Sequence, residues 1–175
     1  MDPLLLINLI IDNHLNLTDI KKLCTMNKNY FNTCTLYIDT NLSCSYNNLT
    51  NLPYLSKVTT IHCAHNNLTS LPSYPKLKYI SCDYNNFTTL PYWPKIIDIN
   101  CMDNINLTKL PVYPSLRILS LENTGVRKLP IFPNLYKLYY DIGTIRERYI
   151  SRQPSLQYIN EHSDDETGDS DDEDN

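Results

Sequence analysis

Leu77-Lys78-Tyr79-Ile80-Ser81-Cys82-Asp83-Tyr84-Asn85-Asn86-Phe87-Thr88-Thr89-Leu90-Pro91-Tyr92-Trp93-Pro94 decides the fold, because its marked positions recur along the chain. Leu-Pro occurs at Leu52-Pro53, Leu71-Pro72, Leu90-Pro91, Leu110-Pro111 and Leu129-Pro130, in steps of 19, 19, 20 and 19 residues. Cysteine recurs at Cys44, Cys63, Cys82 and Cys101, always 19 apart, and Asn47, Asn66, Asn85 and Asn104 each follow three residues later. A fixed period of this length marks stacked repeats. Ile80 and Cys82 share one face of a short strand, while Tyr79, Ser81 and Asp83 take the other. Stacked units then pair into a parallel sheet. Nineteen residues leave no room for a return helix. Two prolines per unit, each with a fixed φ, favour extended, polyproline-like backbone there.

The pattern Leu77-x-x-Ile80-x-Cys82-x-x-Asn85-x-Phe87-x-x-Leu90-Pro91-x-x-Pro94 resembles the leucine-rich repeat. The resemblance covers about residues 39 to 145, with a partial unit from Leu156, and looks most like the short, proline-rich repeats of bacterial effector proteins. Six units centre on Cys44, Cys63, Cys82, Cys101, Leu121 and Tyr140. The fourth carries an inserted residue near Ile105, and the last two place Thr124 and Gly143 where the others have asparagine. What the resemblance implies is an α/β repeat solenoid over residues 39–160 with short parallel strands on a concave face. It also implies an asparagine ladder whose amides bond to backbone groups of neighbouring turns. Tyr74, Trp93, Tyr113 and Phe132 precede the second proline of their units. They are expected to stack as the outer layer of the core, since a return segment without a helix needs bulk to close it.

Composition excludes several classes. Hydrophobic residues make up 42% of the 175, enough for a core. Only three glycines are present, so there is no Gly-rich phosphate loop, dinucleotide fingerprint or nucleophile elbow. No apolar run approaches the ~18 residues of a membrane span. Met1-Asp2-Pro3 lacks the positive charge of a signal peptide. Six cysteines raise disulfides or zinc. Four of them fall in one inward line, which cannot surround a zinc ion tetrahedrally, and Cys24 and Cys34 lack CxxC spacing. A reducing, cytoplasmic compartment with buried thiols as small apolar fillers is therefore expected. The Asn-x-Thr sequons at Asn48, Asn67, Asn86 and Asn106 are products of the repeat itself. No cofactor and no membrane partner are expected.

Residues 1–38 do not follow the repeat. Asp2 can cap a helix with Pro3 at its first position, and Thr18 can cap a second whose apolar face holds Ile20, Leu23, Cys24 and Met26. One reading is a helical cap over the open end of the solenoid. The other is a resemblance to the F-box, carried by Pro3, Leu4 and Ile7, by Ile20, and by Leu23, Met26 and Tyr30. Here Asp2 replaces the usual leucine before proline and Tyr30 replaces tryptophan. That resemblance implies contact with a Skp-type adaptor of cullin ubiquitin ligases, with the repeats choosing the substrate. Such starts joined to Asn-, Ile- and Tyr-rich repeats look like proteins of giant or other large DNA viruses, and a single alanine beside 21 asparagines agrees with an AT-rich source.

The outward strand positions predict a protein-binding concave face of His62, His65, Tyr79, Asp83, Tyr84, Asp98, Met102, Asp103, Glu122, Lys137 and Tyr139, with Asp141 beside them. Rigidly presented aromatic residues suit protein recognition. His62, His65 and Asp83 are also of metal-ligand type, but no residue spacing points to a catalytic nucleophile, so an enzyme is not expected. Lys57, Lys76 and Lys95 form a further column, read as a solvated edge. A nucleic-acid partner is not expected, because acids share the face and the net charge is -4. Residues 161–175 hold nine acids and no Lys or Arg, leaving the first 160 at +5. This acidic tail is expected to be disordered. Within it, Ser163 and Ser170 each have an acid three residues later, resembling acidophilic kinase sites.

Overall fold

The computed structural model describes residues 35–37, 40–52 and 54–162. The helices expected before Thr35, with the F-box-like positions, and the tail from Ser163 lie outside the described residues. Eight strands form one sheet in chain order: β1 (Thr35–Tyr37), β2 (Asn41–Ser43), β3 (Thr60–His62), β4 (Tyr79–Ser81), β5 (Asp98–Asn100), β6 (Ile118–Ser120), β7 (Lys137–Asp141) and β8 (Tyr158–His162). From β2 to β8 every pairing is parallel, with Ile61, Ile80, Ile99, Leu119 and Leu138 facing one another down the sheet. The coarse expectation, a repeat solenoid with a parallel sheet, is what the chain forms. β1 was not expected. It falls inside residues 1–38 and pairs antiparallel with β2, Leu36 opposite Leu42. At the other end β8 runs to His162, two residues past the repeat boundary drawn at 160. Helix is nearly absent among the described residues, which hold one turn, α1 (Glu147–Ile150).

The strands are only three residues long through most of the array, yet hydrogen bonding continues past them. The amide of Cys44 donates to the His62 carbonyl at 2.7 Å, Cys63 to Ser81 at 2.8 Å, Cys82 to Asn100 at 2.8 Å, Cys101 to Ser120 at 3.1 Å and Leu121 to Tyr139 at 2.9 Å. The four cysteines are fully buried thiols, none of them in a disulfide. Burial pushes the thiols of Cys63, Cys82 and Cys101 far above their ordinary pKa, which keeps them neutral and unreactive.

Beside the cysteines runs the asparagine ladder. The Asn85 Oδ1 accepts from the Leu68 amide at 3.0 Å, and its Nδ2 donates to the carbonyls of Cys63 (3.0 Å), Cys82 (3.1 Å) and Asp83 (3.1 Å). Asn66 and Asn104 repeat the arrangement one turn to either side. Each amide thus satisfies backbone groups of two successive turns that would otherwise be buried unpaired. In the fifth unit the ladder shrinks to one bond, from the Thr124 hydroxyl to the Leu121 carbonyl at 2.7 Å.

The return side closes the core with rings. Tyr74, Trp93, Tyr113 and Phe132 are all fully buried. Trp93, Tyr113 and Phe132 stack at 6.1 Å between centroids with planes 13° apart. The Trp93 indole donates to the Pro72 carbonyl at 3.2 Å and the Tyr113 hydroxyl to the Pro91 carbonyl at 3.0 Å, so each ring also ties its turn to the one before. Gln153 takes the next place in this column. Buried, it donates to the Pro130 carbonyl at 2.8 Å and accepts from the Phe132 amide at 2.8 Å, ending the ring stack with an amide.

Candidate protein-binding face

Four columns of side chains make the solvent face of the sheet and the turn that follows it. In the first, Tyr79, Asp98 and Lys137 stand one turn or two apart, and in the second stand His62 and Tyr139. Asp83, Met102, Glu122 and Asp141 follow the cysteine position, and His65, Tyr84 and Asp103 come next. Tyr79 and His62 are exposed, while Asp98, Met102, Asp103, Lys137 and Tyr139 are half-buried. Burial raises the Asp98 carboxyl above its usual range.

Glu122 needs a correction. It was expected on the open face but is only 7% exposed. Its charge reaches Cys101, where it adds to the upward push on that thiol. Ala64, in the same column, is 8% exposed, so the position after the cysteine is already closing as the chain begins to turn. Outward alternation along an ideal strand therefore overstates exposure there.

His65, Tyr84 and Asp103 are not strand residues either. All three have a left-handed backbone, with φ of 51°, 51° and 53°, as do Tyr46 at 63° and Asn123 at 52°. Such residues are uncommon away from glycine. Here each is held by the ladder: the amides of Tyr46, His65, Tyr84 and Asp103 donate to carbonyls one turn on at 3.0–3.1 Å. With the backbone fixed, the side chains fall into register. Tyr46 stacks on His65 at 4.2 Å and His65 on Tyr84 at 4.1 Å, with planes 12° and 11° apart. The Tyr84 hydroxyl is hydrogen-bonded to Asp103, which raises the phenol above its ordinary pKa. Asp103 in turn accepts from the Asn123 amide group at 2.6 Å, and the Asn123 backbone amide donates to Asp141 at 2.6 Å. Asp83 is held similarly, accepting from the Ser81 hydroxyl at 2.7 Å and from Asn100 at 3.2 Å. Lys137 lies over the Tyr139 ring, 4.8 Å from its centroid.

His62, His65 and Asp83 are not brought together as a metal-binding group, and the faces of the His65 ring are covered by Tyr46 and Tyr84. Among the described residues no group of three or more His, Cys, Asp or Glu could hold a metal ion. No helix among them is long and apolar enough to cross a membrane. Lys57, Lys76 and Lys95 are exposed on the far edge.

Two features of the surface were not read from the sequence. Tyr46 opens the ring column and is 73% exposed. Its signal was available, because it sits two residues after Cys44 as His65 and Tyr84 do after Cys63 and Cys82. The second is a stripe on the return side, where Tyr54, Tyr92, Val112 and Ile131 are each at least half exposed, one behind each Leu-Pro pair except Leu71-Pro72. No family model, curated protein or solved structure matches the chain.

Proposed function

We propose that the chain is a leucine-rich-repeat protein that binds a protein partner, without catalysis, through the solvent face of its parallel sheet. The observation carrying this reading is the column Tyr46–His65–Tyr84, two exposed tyrosines with a half-buried histidine between them, stacked at 4.1–4.2 Å and continued by hydrogen-bonded Asp103 and Asn123. Rings and carboxylates held by neighbours lose little freedom on binding, and aromatic anchors carry much of the energy of protein interfaces. The face is also selective in charge. Of the six acids between residues 40 and 160, four lie on it, Asp83, Asp98, Asp103 and Asp141, with Glu122 buried in the same columns, against a single cation, Lys137. A partner surface with basic or hydrogen-bond-donating groups complements it. The test is a photo-crosslinking side chain placed in the full chain at Tyr79 or, as a control of equal exposure, at Tyr92. Crosslinks to one protein from position 79 and none from 92 support the reading; equal crosslinking from both positions defeats it.

A second reading adds a ubiquitin-ligase role. It is favoured by the F-box-like residues Pro3, Leu4, Ile7, Ile20, Leu23, Met26 and Tyr30. On that reading the N-terminal segment holds a Skp-type adaptor and the sheet face holds the substrate. Affinity purification of the chain and of its Leu4→Glu/Ile7→Glu variant separates the two. Adaptor and cullin recovered with the first alone support the ligase role, and their absence from both leaves a stand-alone binding module.

A further inference from the structure

Charge is divided by face along the whole solenoid. Eleven of the twelve Lys and Arg residues between positions 40 and 160 lie outside the columns that hold five of the six acids. On the edge where the chain turns from the sheet to the return side, three of these cations line an open groove of about 540 Å³ between the fourth and fifth turns. Lys109, Arg127 and Lys128 line it together with Thr108 and Gly125 over a base of Leu110, Leu129 and Pro130, and no acid does. The Arg127 guanidinium is held by the Thr124 and Val126 carbonyls at 3.0 and 3.2 Å. Gly125 leaves the floor bare: a Cβ there would stand 2.8 Å from the Ile105 carbonyl oxygen and 3.1 Å from the Thr108 methyl.

The β7–β8 register points to what fills the groove. His162 pairs with Asp141, so the chain leaves β8 alongside residue 142, on the same edge. The preceding turn places the exposed Arg146 and Arg148 just beyond that point. Arg127 and Lys128 stand one turn further back and Lys109 another, at ~5 Å per turn. Residues 163–175 carry eight acids, no Lys or Arg and no large apolar side chain. Thirteen residues reach ~40 Å when extended, more than the ~15 Å of three turns along the stack that separate β8 from the turn of Lys109.

We propose that residues 163–175 bind the body's own cationic groove, entering past Arg146 and Arg148 and neutralising Lys109, Arg127 and Lys128. The contact is electrostatic and exposed, so each pair is weak and salt-sensitive. Tethering raises the local concentration of tail carboxylates to the millimolar range, which lets weak pairs add up. The tail then acts as an intramolecular competitor that denies this groove to other acidic chains. This is independent of the sheet face and of any partner bound there.

A carbodiimide, which joins a lysine amine directly to a carboxylate with loss of water, tests the proposal on the full chain. After digestion of the monomer band, the expected product is Lys109 or Lys128 joined to an acid between Asp164 and Asp174. Its yield at about 20 mM salt should exceed both the same product at 1 M salt and tail links to Lys57, Lys76 or Lys95 by about tenfold, as expected when the Debye length falls to ~3 Å. Because modification could favour particular lysines, amide shifts provide a second readout. Replacing Asp171, Asp172, Glu173 and Asp174 with Asn or Gln should move the Gly125 and Lys128 resonances and leave those of Lys57 and Lys76 in place. Links spread evenly over all five lysines, links found only in dimers, or no tail link at all would each overturn the proposal.

Discussion

Replacing Asn85 with alanine tests whether the asparagine ladder holds the solenoid together. The side chain is 6% exposed and makes four hydrogen bonds of 3.0–3.1 Å, all to backbone groups. Alanine leaves the Leu68 amide, which belongs to the turn before, without this bond, while the Cys63 carbonyl keeps the one it accepts from the Asn66 side chain at 3.0 Å. A buried polar group stripped of its partner costs about 1–3 kcal/mol, and with the Leu68 amide the one group so stripped, Asn85→Ala should cost about 2–3 kcal/mol. That is a large share of the ~5–15 kcal/mol that stabilises a domain. The same column contains a control. Thr124 makes one ladder bond, at 2.7 Å, so Thr124→Ala should cost only about 1 kcal/mol. Urea unfolding followed by far-UV dichroism and by the emission of Trp93, which is fully buried, reads both variants. The slope against denaturant should stay unchanged if the folded state keeps its extent. Asn85→Asp sharpens the test, because a carboxylate can accept from Leu68 but cannot donate to three carbonyls. It should be at least as damaging as alanine at neutral pH. If Asn85→Ala costs under 1 kcal/mol, or no more than Thr124→Ala, the ladder is not what couples the turns.

Three further outcomes follow from the packing. Cys82→Ala should cost about 1 kcal/mol, as a small truncation in a tight core, and a thiol reagent should leave Cys63, Cys82 and Cys101 unlabelled until the protein unfolds. Gly125→Ala should destabilise by more than about 1 kcal/mol in urea unfolding, against the usual gain of ~0.4–1 kcal/mol, because its Cβ would meet the Ile105 carbonyl oxygen at 2.8 Å. Asp98 has a pKa raised by burial in the folded state, so it favours folding when protonated, and that contribution disappears as pH rises through the folded pKa. Asp98→Asn should therefore raise the thermal midpoint at pH 7, with the gain vanishing near pH 3, where the Asp98 carboxyl is protonated.

The repeat was legible because its constraints are periodic and chemically narrow. Small apolar cysteine fills the inner strand column for four turns before buried Leu121 and Tyr140 take it over, an amide bonds both ways in the ladder, and Leu-Pro with a following ring suits a return segment without a helix. Loss of the ladder at Thr124 and protrusion of the inserted Ile105, 66% exposed, follow from the same register. The face was harder to read. Strand alternation puts Tyr79 and His62 outward correctly, but it says nothing of residues beyond the strand. His65, Tyr84 and Asp103 are placed by left-handed backbone that the inter-turn hydrogen bonds impose, and none of them is a residue type that announces a positive φ as glycine would. Glu122 fails for the same reason, since its exposure depends on how soon the chain turns. β1 could not be anticipated from periodicity, because it pairs antiparallel and lies outside the repeat. The stripe through Tyr92, Val112 and Ile131 carries the repeat spacing, but its residue types differ, and the spacing alone does not separate an exposed column from a buried one.

That the sheet face is the binding surface can be tested by measuring the dissociation constant of the protein crosslinked from position 79, for the wild type, for Tyr84→Asn and for Tyr92→Ser. Asparagine tolerates the left-handed backbone at position 84, so that variant removes the ring while sparing the fold. If the ring column is the docking surface, Tyr84→Asn weakens binding by about 1–3 kcal/mol, roughly 5- to 150-fold, while Tyr92→Ser leaves it unchanged. Unchanged affinity in Tyr84→Asn together with a loss in Tyr92→Ser would place the partner on the return side and contradict the reading.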